Sequence, residues 1–276
     1  MGFQSWMGVM GIGPAMCYGE LDRQLGEYLE YLWESGDSKS LAADTLSGVQ
    51  HFLRVKRVFS GGWSLFKAWG KLELPNRAPP LPELVLTGMV GLAFSLGRHD
   101  LASLLLIGFG GFLRTGEILS LRSNMLNFDW QTGTLIIALP ESKSGLRFGV
   151  QEVVTIPDRG ILRLVWLFVC HLPPGGALFT GSAQRFRDDF QRLLVGLGFG
   201  DRSYRPYSLR RGGATAELRR GTPLDNLMLR GRWSSLSTAR IYLNEGLSLL
   251  AQLHFTNAER ASLADYTAEV VRRLEA

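Results

Sequence analysis

The stretch Leu229-Arg230-Gly231-Arg232-Trp233-Ser234-Ser235-Leu236-Ser237-Thr238-Ala239-Arg240-Ile241-Tyr242 sets a tryptophan and a tyrosine nine residues apart among three arginines. An indole N–H can donate to a phosphoryl oxygen, and the ring can pack the helix that carries the tyrosine. The plain alternative is that both aromatics belong to a core, the usual fate of Trp and Tyr. Working back along the chain, Arg211 and Arg210, then Lys143, then Arg114 precede this box. An ordered basic set that ends in a tyrosine suits attack on a phosphodiester. The phenolic oxygen conserves the bond energy in a phosphotyrosyl link while arginines neutralise the charge growing on the phosphoryl oxygens, and no metal is required.

Composition bounds what surrounds the set. With 276 residues, 46% hydrophobic and 20% charged, the chain has material for two modest folded domains rather than disorder. The balance of 30 Lys+Arg against 25 Asp+Glu gives only +5, so the distribution of charge matters more than its total. Between residues 202 and 240 stand Arg202, Arg205, Arg210, Arg211, Arg219, Arg220, Arg230, Arg232 and Arg240, opposed only by Glu217 and Asp225. Such a run forms either a phosphate-binding face or a solvated helix face. Cys17 and Cys170 are too few for a disulfide framework and suit a reducing compartment. His51, His99, His171 and His254 are dispersed without zinc-ligand spacing, so neither metal nor cofactor is expected. Residues 1–19 are apolar but lack a basic n-region and a clear cleavage site, and read as a loose lead-in. No apolar run reaches membrane-spanning length, and membrane residence is not expected.

Apolar spacing predicts a helix over Leu21 to Trp33, a second from near Ser40 through Leu53, and a third around Trp63 to Trp69. The run Pro75-Asn76-Arg77-Ala78-Pro79-Pro80-Leu81-Pro82 cannot continue a helix, because its prolines lack amide donors and restrict the residues before them. A domain boundary is expected there, giving a helical front domain over 20–78 and a larger unit over 79–276. In the larger unit, Pro82 to Leu96 and Leu101 to Leu121 read as broad-faced helices. Between Asn127 and Pro157 the period changes. Leu135, Ile136 and Ile137 follow a Gln131-Thr132-Gly133 turn, and Val150, Val153, Val154 and Ile156 follow a Lys143-Ser144-Gly145 turn, which predicts a small antiparallel sheet. Helices resume after Arg159. The tail from Leu247 to Ala276 reads as one or two amphipathic helices, which dock either on their own domain or on a neighbouring protomer.

The motifs themselves point to one family. The segment Gly110-Gly111-Phe112-Leu113-Arg114-Thr115-Gly116-Glu117 resembles the first signature of the tyrosine recombinases, the phage-integrase family. The resemblance implies that Arg114 is the first catalytic arginine and that Glu117 supports it. Glu141-Ser142-Lys143-Ser144-Gly145 matches the turn on which family members carry a lysine, and a lysine of lowered pKa can protonate a departing 5′ oxygen. Tyr207-Ser208-Leu209-Arg210-Arg211-Gly212-Gly213 resembles the H-x-L-R box, with Arg210 as second catalytic arginine and Arg211 supporting. Tyr207 stands where histidine is usual. A phenol with a pKa near ~10 is a poor base at neutral pH, so a modified base arrangement or reduced activity is expected. The opening stretch resembles the box in which Trp233 takes the His/Trp place and Tyr242 is the nucleophile.

The resemblance implies a mainly α protein: an N-terminal bundle similar to the family's core-binding domain, then an α-rich catalytic domain with a small antiparallel sheet. It implies a site-specific recombinase or integrase that cleaves and rejoins DNA through a 3′-phosphotyrosyl intermediate, found with DNA inside the cell. The partner would be double-stranded DNA, clamped by both domains with Arg202, Arg205, Arg232 and Arg240 on its backbone, and synapsis would take a homo-tetramer. Two alternatives stay open. One is a DNA-binding descendant impaired in catalysis; the other is a relaxing enzyme of the type IB topoisomerase kind, which shares the Arg, Lys, Arg and Tyr chemistry.

Overall fold

Helix α2 (Tyr18–Glu34) shows why the front of the chain folds: Leu25, Tyr28, Leu29 and Leu32 recur on one face, and all are buried. The structure, a computed structural model, describes residues 1–72, 78–139, 152–243 and 245–275. α2 packs with α3 (Lys39–Phe52) and α4 (Ser60–Leu72) around Ala42, Leu46, Phe59 and Trp69. Asp22 reaches across from α2 so that its carboxylate accepts the Gly61 and Gly62 amides, each at 2.8 Å. That satisfies two of the orphan donors at the start of α4. The segment expected as a loose lead-in instead forms helix α1 (Phe3–Val9). Its Trp6 is buried 5.3 Å from the Tyr28 ring, with Phe3 equally near that ring, so aromatic burial orders what the sequence alone left loose.

The chain divides into two compact units, Met1–Arg77 and Ala78–Ala276. The second is built on α5 (Glu83–Ser95) and α6 (His99–Gly110), each buried nearly all round by its own Leu, Val, Ile, Met and Phe side chains. The expected helix over Leu101 to Leu121 is interrupted. It stops at Gly110-Gly111, Phe112 turns into the left-handed region at φ 48°, and a short α7 (Thr115–Leu119) restarts the chain in a new direction. Paired glycines are poor helix formers, and the end of α6 is packed against Ile156 and Ile161. After a 3-10 turn (Ser123–Met125) comes an antiparallel sheet ordered β1-β2-β3: Leu126–Asp129, Thr134–Leu139 and Glu152–Ile156. Leu135, Ile137 and Leu139 alternate into the core opposite Ile156, Val154 and Glu152. The strand Leu126–Asp129 was not separately marked in the sequence; Asp129 folds its turn by accepting the Gln131 and Thr132 amides.

The remaining helices are α8 (Arg159–Val169), α9 (Ala183–Gly196), α10 (Tyr207–Arg219), α11 (Leu224–Gly231), α12 (Leu236–Tyr242), α13 (Glu245–Leu253) and α14 (Asn257–Glu275). α14 docks on α5 of its own unit, where the missing side chain of Gly91 admits the Tyr266 carbonyl. Leu250 and Leu253 of α13 are exposed. Among the described residues no helix is long and apolar enough to cross a membrane.

Candidate active site

The Gly110-Gly111 break delivers Arg114 to the start of α7, where its side chain is one third exposed. Glu117, one turn on, is nearly buried and holds Arg114 twice: its carboxylate accepts the Arg114 amide at 2.8 Å and the guanidinium at 2.7 Å. Burial opposes ionisation of this carboxyl, but Arg232 and then Arg114 outweigh it, and Glu117 titrates below the ordinary glutamate range. A fixed carboxylate thus aims a cation outward.

Arg210 lies on α10, and the glycines that follow it explain its depth. A Cβ on Gly213 would overlap the Phe109 carbonyl oxygen, and one on Gly212 would overlap that of Leu81, so α10 approaches α6 at backbone contact. Arg210 is then fully buried. Its guanidinium donates to the Phe112 carbonyl and, at 2.5 Å, to the Gly231 carbonyl, while its Nε finds no partner among the described residues. Burial first, then the nearby Arg232 and Arg114, push its pKa down to about 10, which still leaves the group cationic at neutral pH.

Around that cation the aromatics are stacked. The Trp233 ring lies parallel to Phe112 at 6.5 Å and packs on Tyr242 at 4.8 Å. The Arg210 guanidinium sits 5.0 Å from the centre of the Tyr242 ring and 5.5 Å from that of Trp233, within cation–π range. The buried indole Nε1 of Trp233 has no hydrogen-bond partner among the described residues. Tyr207, at the start of α10, places its ring 5.8 Å from Tyr242. Burial, followed by hydrogen bonding to and repulsion from the Tyr242 phenol, pushes Tyr207 up to about 12 against the pull of Arg210 and Arg211. Tyr207 is therefore a neutral hydroxyl across the physiological range, able to donate and accept but not to act as a strong base.

These side chains belong to a fold with solved counterparts. No protein-family model matches the sequence, and no curated protein does. The structure nevertheless superimposes on the XerA recombinase (16% identity, TM-score 0.50, covering 92% of this chain and 97% of that one). It superimposes on the XerH site-specific recombinase bound to difH substrate in a pre-cleavage complex (17% identity, TM-score 0.55, 91% and 70%). The Tn1549 transposon integrase in complex with circular intermediate DNA gives 13% identity and a TM-score of 0.53, with 85% of each chain covered. The fold is that of the tyrosine recombinases.

Within the tyrosine recombinase fold, Arg114, Glu117, Arg210, Trp233, Tyr242 and Tyr207 converge on one locality. Lys143 lies outside the described residues. Arg211 is buried behind the site and donates to the Ala78 carbonyl. Arg202 bridges to Glu259 at 3.2 Å and to the His254 carbonyl, tying α14 to the body of its unit. Arg205 and Arg240 are exposed. Arg232, expected on the DNA face, is internal: it caps α11 in the left-handed region at φ 55°, and its guanidinium pairs with Glu117 at 2.8 Å and Glu152 at 3.0 Å. A left-handed non-glycine residue costs roughly 1–2 kcal/mol, so the two ion pairs hold a disfavoured backbone.

Two participants carry no chemical signature in the sequence. Phe112 contributes its carbonyl, which receives both Arg210 and, at 3.4 Å, Arg232, while its ring is bracketed by Trp233 and by the Arg230 guanidinium at 4.8 Å. Only the Gly110-Gly111 pair hinted at a special backbone there. Glu152, at the start of β3, reads in sequence as an ordinary strand-end acid. Among the described residues no group of three or more His, Cys, Asp or Glu side chains could hold a metal ion. The arrangement offers cations, a phenol and an indole N–H, which is the equipment for holding and attacking a phosphate ester.

Proposed function

We propose that this chain cleaves and rejoins DNA strands as a site-specific recombinase or integrase. The observation that carries the reading is the mutual contact of the Tyr242 ring, the Trp233 indole and the buried Arg210 guanidinium, with Tyr242 4.8 Å from the indole and 5.0 Å from the guanidinium. The Tyr242 oxygen attacks the scissile phosphorus, the bond from phosphorus to the 5′ oxygen breaks, and a 3′-phosphotyrosyl link forms. Arg114 and Arg210 neutralise the nonbridging oxygens, and the Trp233 N–H adds a hydrogen bond. Lys143 gives its proton to the leaving 5′ oxygen, and the Tyr242 proton passes by way of the Tyr207 hydroxyl to solvent. A 5′-hydroxyl from a partner strand then reverses the attack. The shared fold with the XerH and Tn1549 proteins, both bound to DNA, supports this reading. By the same reading the front bundle is a DNA-binding domain, Arg205 and Arg240 contact the DNA backbone, and four copies assemble on two duplexes.

A second reading, binding without cleavage, is favoured by Tyr207: a hydroxyl that stays protonated to about 12 cannot serve as the base that a histidine would supply. One assay separates the two. The chain is incubated with nicked suicide duplexes carrying a randomised core, and protein–DNA adducts are resolved on denaturing gels. Cleavage predicts an adduct that is abolished in Tyr242→Phe. Duplex retention on a native gel with no adduct favours the second reading.

A further inference from the structure

Arg232 has three features that an ordinary helix-capping arginine lacks. Its backbone is left-handed, its side chain is 8% exposed, and its guanidinium meets three groups from two stretches of chain, the turn that carries Phe112 and Glu117 and the start of β3. It pairs with Glu117, the carboxylate that fixes Arg114. It donates to the Phe112 carbonyl, which also receives Arg210. On its other side it pairs with Glu152, the first residue of β3, and β3 directly follows in sequence the segment that contains Lys143. The next residue is Trp233, whose indole stacks on Tyr242.

We propose that Arg232 is a positioning residue that ties β3, through Glu152, to the Glu117 carboxylate and the Phe112 carbonyl that hold Arg114 and Arg210, and to the Trp233–Tyr242 stack. The proposal rests on the reading of this site as a phosphoryl-transfer centre. The Arg232 guanidinium is engaged by internal groups, so its action is through Glu117 and Phe112. Its planar fork spans two carboxylates and a carbonyl at once, a geometry that a lysine ammonium cannot reproduce. Held this way, Glu117 is aligned before substrate arrives, and the Arg114 cation needs no reorganisation when charge develops.

The test uses the full chain and the randomised suicide duplexes, with three variants. Arg232→Gly removes the side chain and relieves the left-handed backbone, so it is the variant least prone to misfold. Arg232→Lys keeps the charge, and Glu152→Gln disconnects only β3. Native-gel affinity, melting midpoint, single-turnover adduct rate and the pH dependence of that rate are measured for each. Arg232→Gly is expected to lower the adduct rate on the order of 10–100-fold while duplex affinity stays near wild type. It is also expected to move the acid limb of the rate profile to higher pH, because Glu117 loses the cation that holds it ionised. Arg232→Lys recovers part of the rate, and Glu152→Gln gives a smaller loss with the acid limb less displaced. If Arg232→Gly does not fold, the rates and acid limbs of the other two variants decide the matter alone. Equal rates and unmoved acid limbs beside a reactive wild type overturn the proposal and leave the functional reading standing. A wild type that binds duplex and forms no adduct overturns that reading and the proposal with it.

Discussion

Among the described residues the front bundle buries one polar side chain, Gln24, in a core made of Trp6, Tyr28, Phe59, Trp69 and aliphatic residues. The second unit buries Glu117, Asp189, Arg210, Arg211 and Glu259. Taking an ion out of water costs several kcal/mol even after pairing and relaxation. The front bundle shows that this chain makes a core without that cost, so the buried charge in the second unit calls for a different explanation. Part of it is structural: Asp189 gathers Arg98 and Arg192, and Glu259 holds Arg202. Arg211 donates to the Ala78 carbonyl, whereas Arg210 lies against the Trp233–Tyr242 stack and Glu117 holds Arg114 and Arg232. The difference teaches that apolar packing alone suffices for a core in this chain, and that the charge gathered around the Trp233–Tyr242 stack marks the place where the proposed reading puts a phosphate.

Three variants break or sharpen that contrast. Trp69→Ala, in the front core, removes a 5% exposed ring packed edge-on to Trp33; it should destabilise by about 3–5 kcal/mol in denaturant titration. Arg210→Met replaces the buried cation with an apolar chain of similar length. Adduct formation should fall on the order of 10²–10³-fold, with a smaller loss of stability than Trp69→Ala gives. A larger loss in Arg210→Met would mean that the cation serves packing after all, and the contrast fails. Glu117 gives the smallest effect. Its folded pKa lies below its unfolded value, so its contribution to stability is present above the unfolded pKa and lost as pH falls through the folded one. Acid melting curves should show this loss in the wild type and its reduction in Glu117→Gln; identical curves would place Glu117 outside the network.

The same contrast explains what the sequence made legible. The helices of both units and the sheet could be read because apolar spacing and turn residues are local, and Pro75 to Pro82 marked a break for the same reason. Arg114, Arg210, Trp233 and Tyr242 could be gathered as candidates because their side chains carry the chemistry a phosphate site needs, and the fold brings them to one locality. Phe112 could not, since its contribution is a carbonyl exposed by a left-handed backbone, and phenylalanine as a residue type says nothing of that. Arg232 reads in sequence as a DNA-facing cation in an arginine-rich run; its ion pairs are with Glu117 and Glu152, which lie 115 and 80 residues away in sequence. The order of residues 3–9 is hidden from the sequence for a similar reason. Trp6 has no local periodicity to announce it, and only the tertiary pocket beside Tyr28 orders it.

The most direct measurement locates the covalent bond. Adduct from the suicide duplexes is trimmed with nuclease, digested with protease and sequenced by mass spectrometry. The account predicts a nucleotide-3′-phosphate on the peptide that contains Tyr242, at that residue. Tyr207, whose ring lies 5.8 Å away, is the near rival; a nucleotide on Tyr207, or on any residue other than Tyr242, would contradict it.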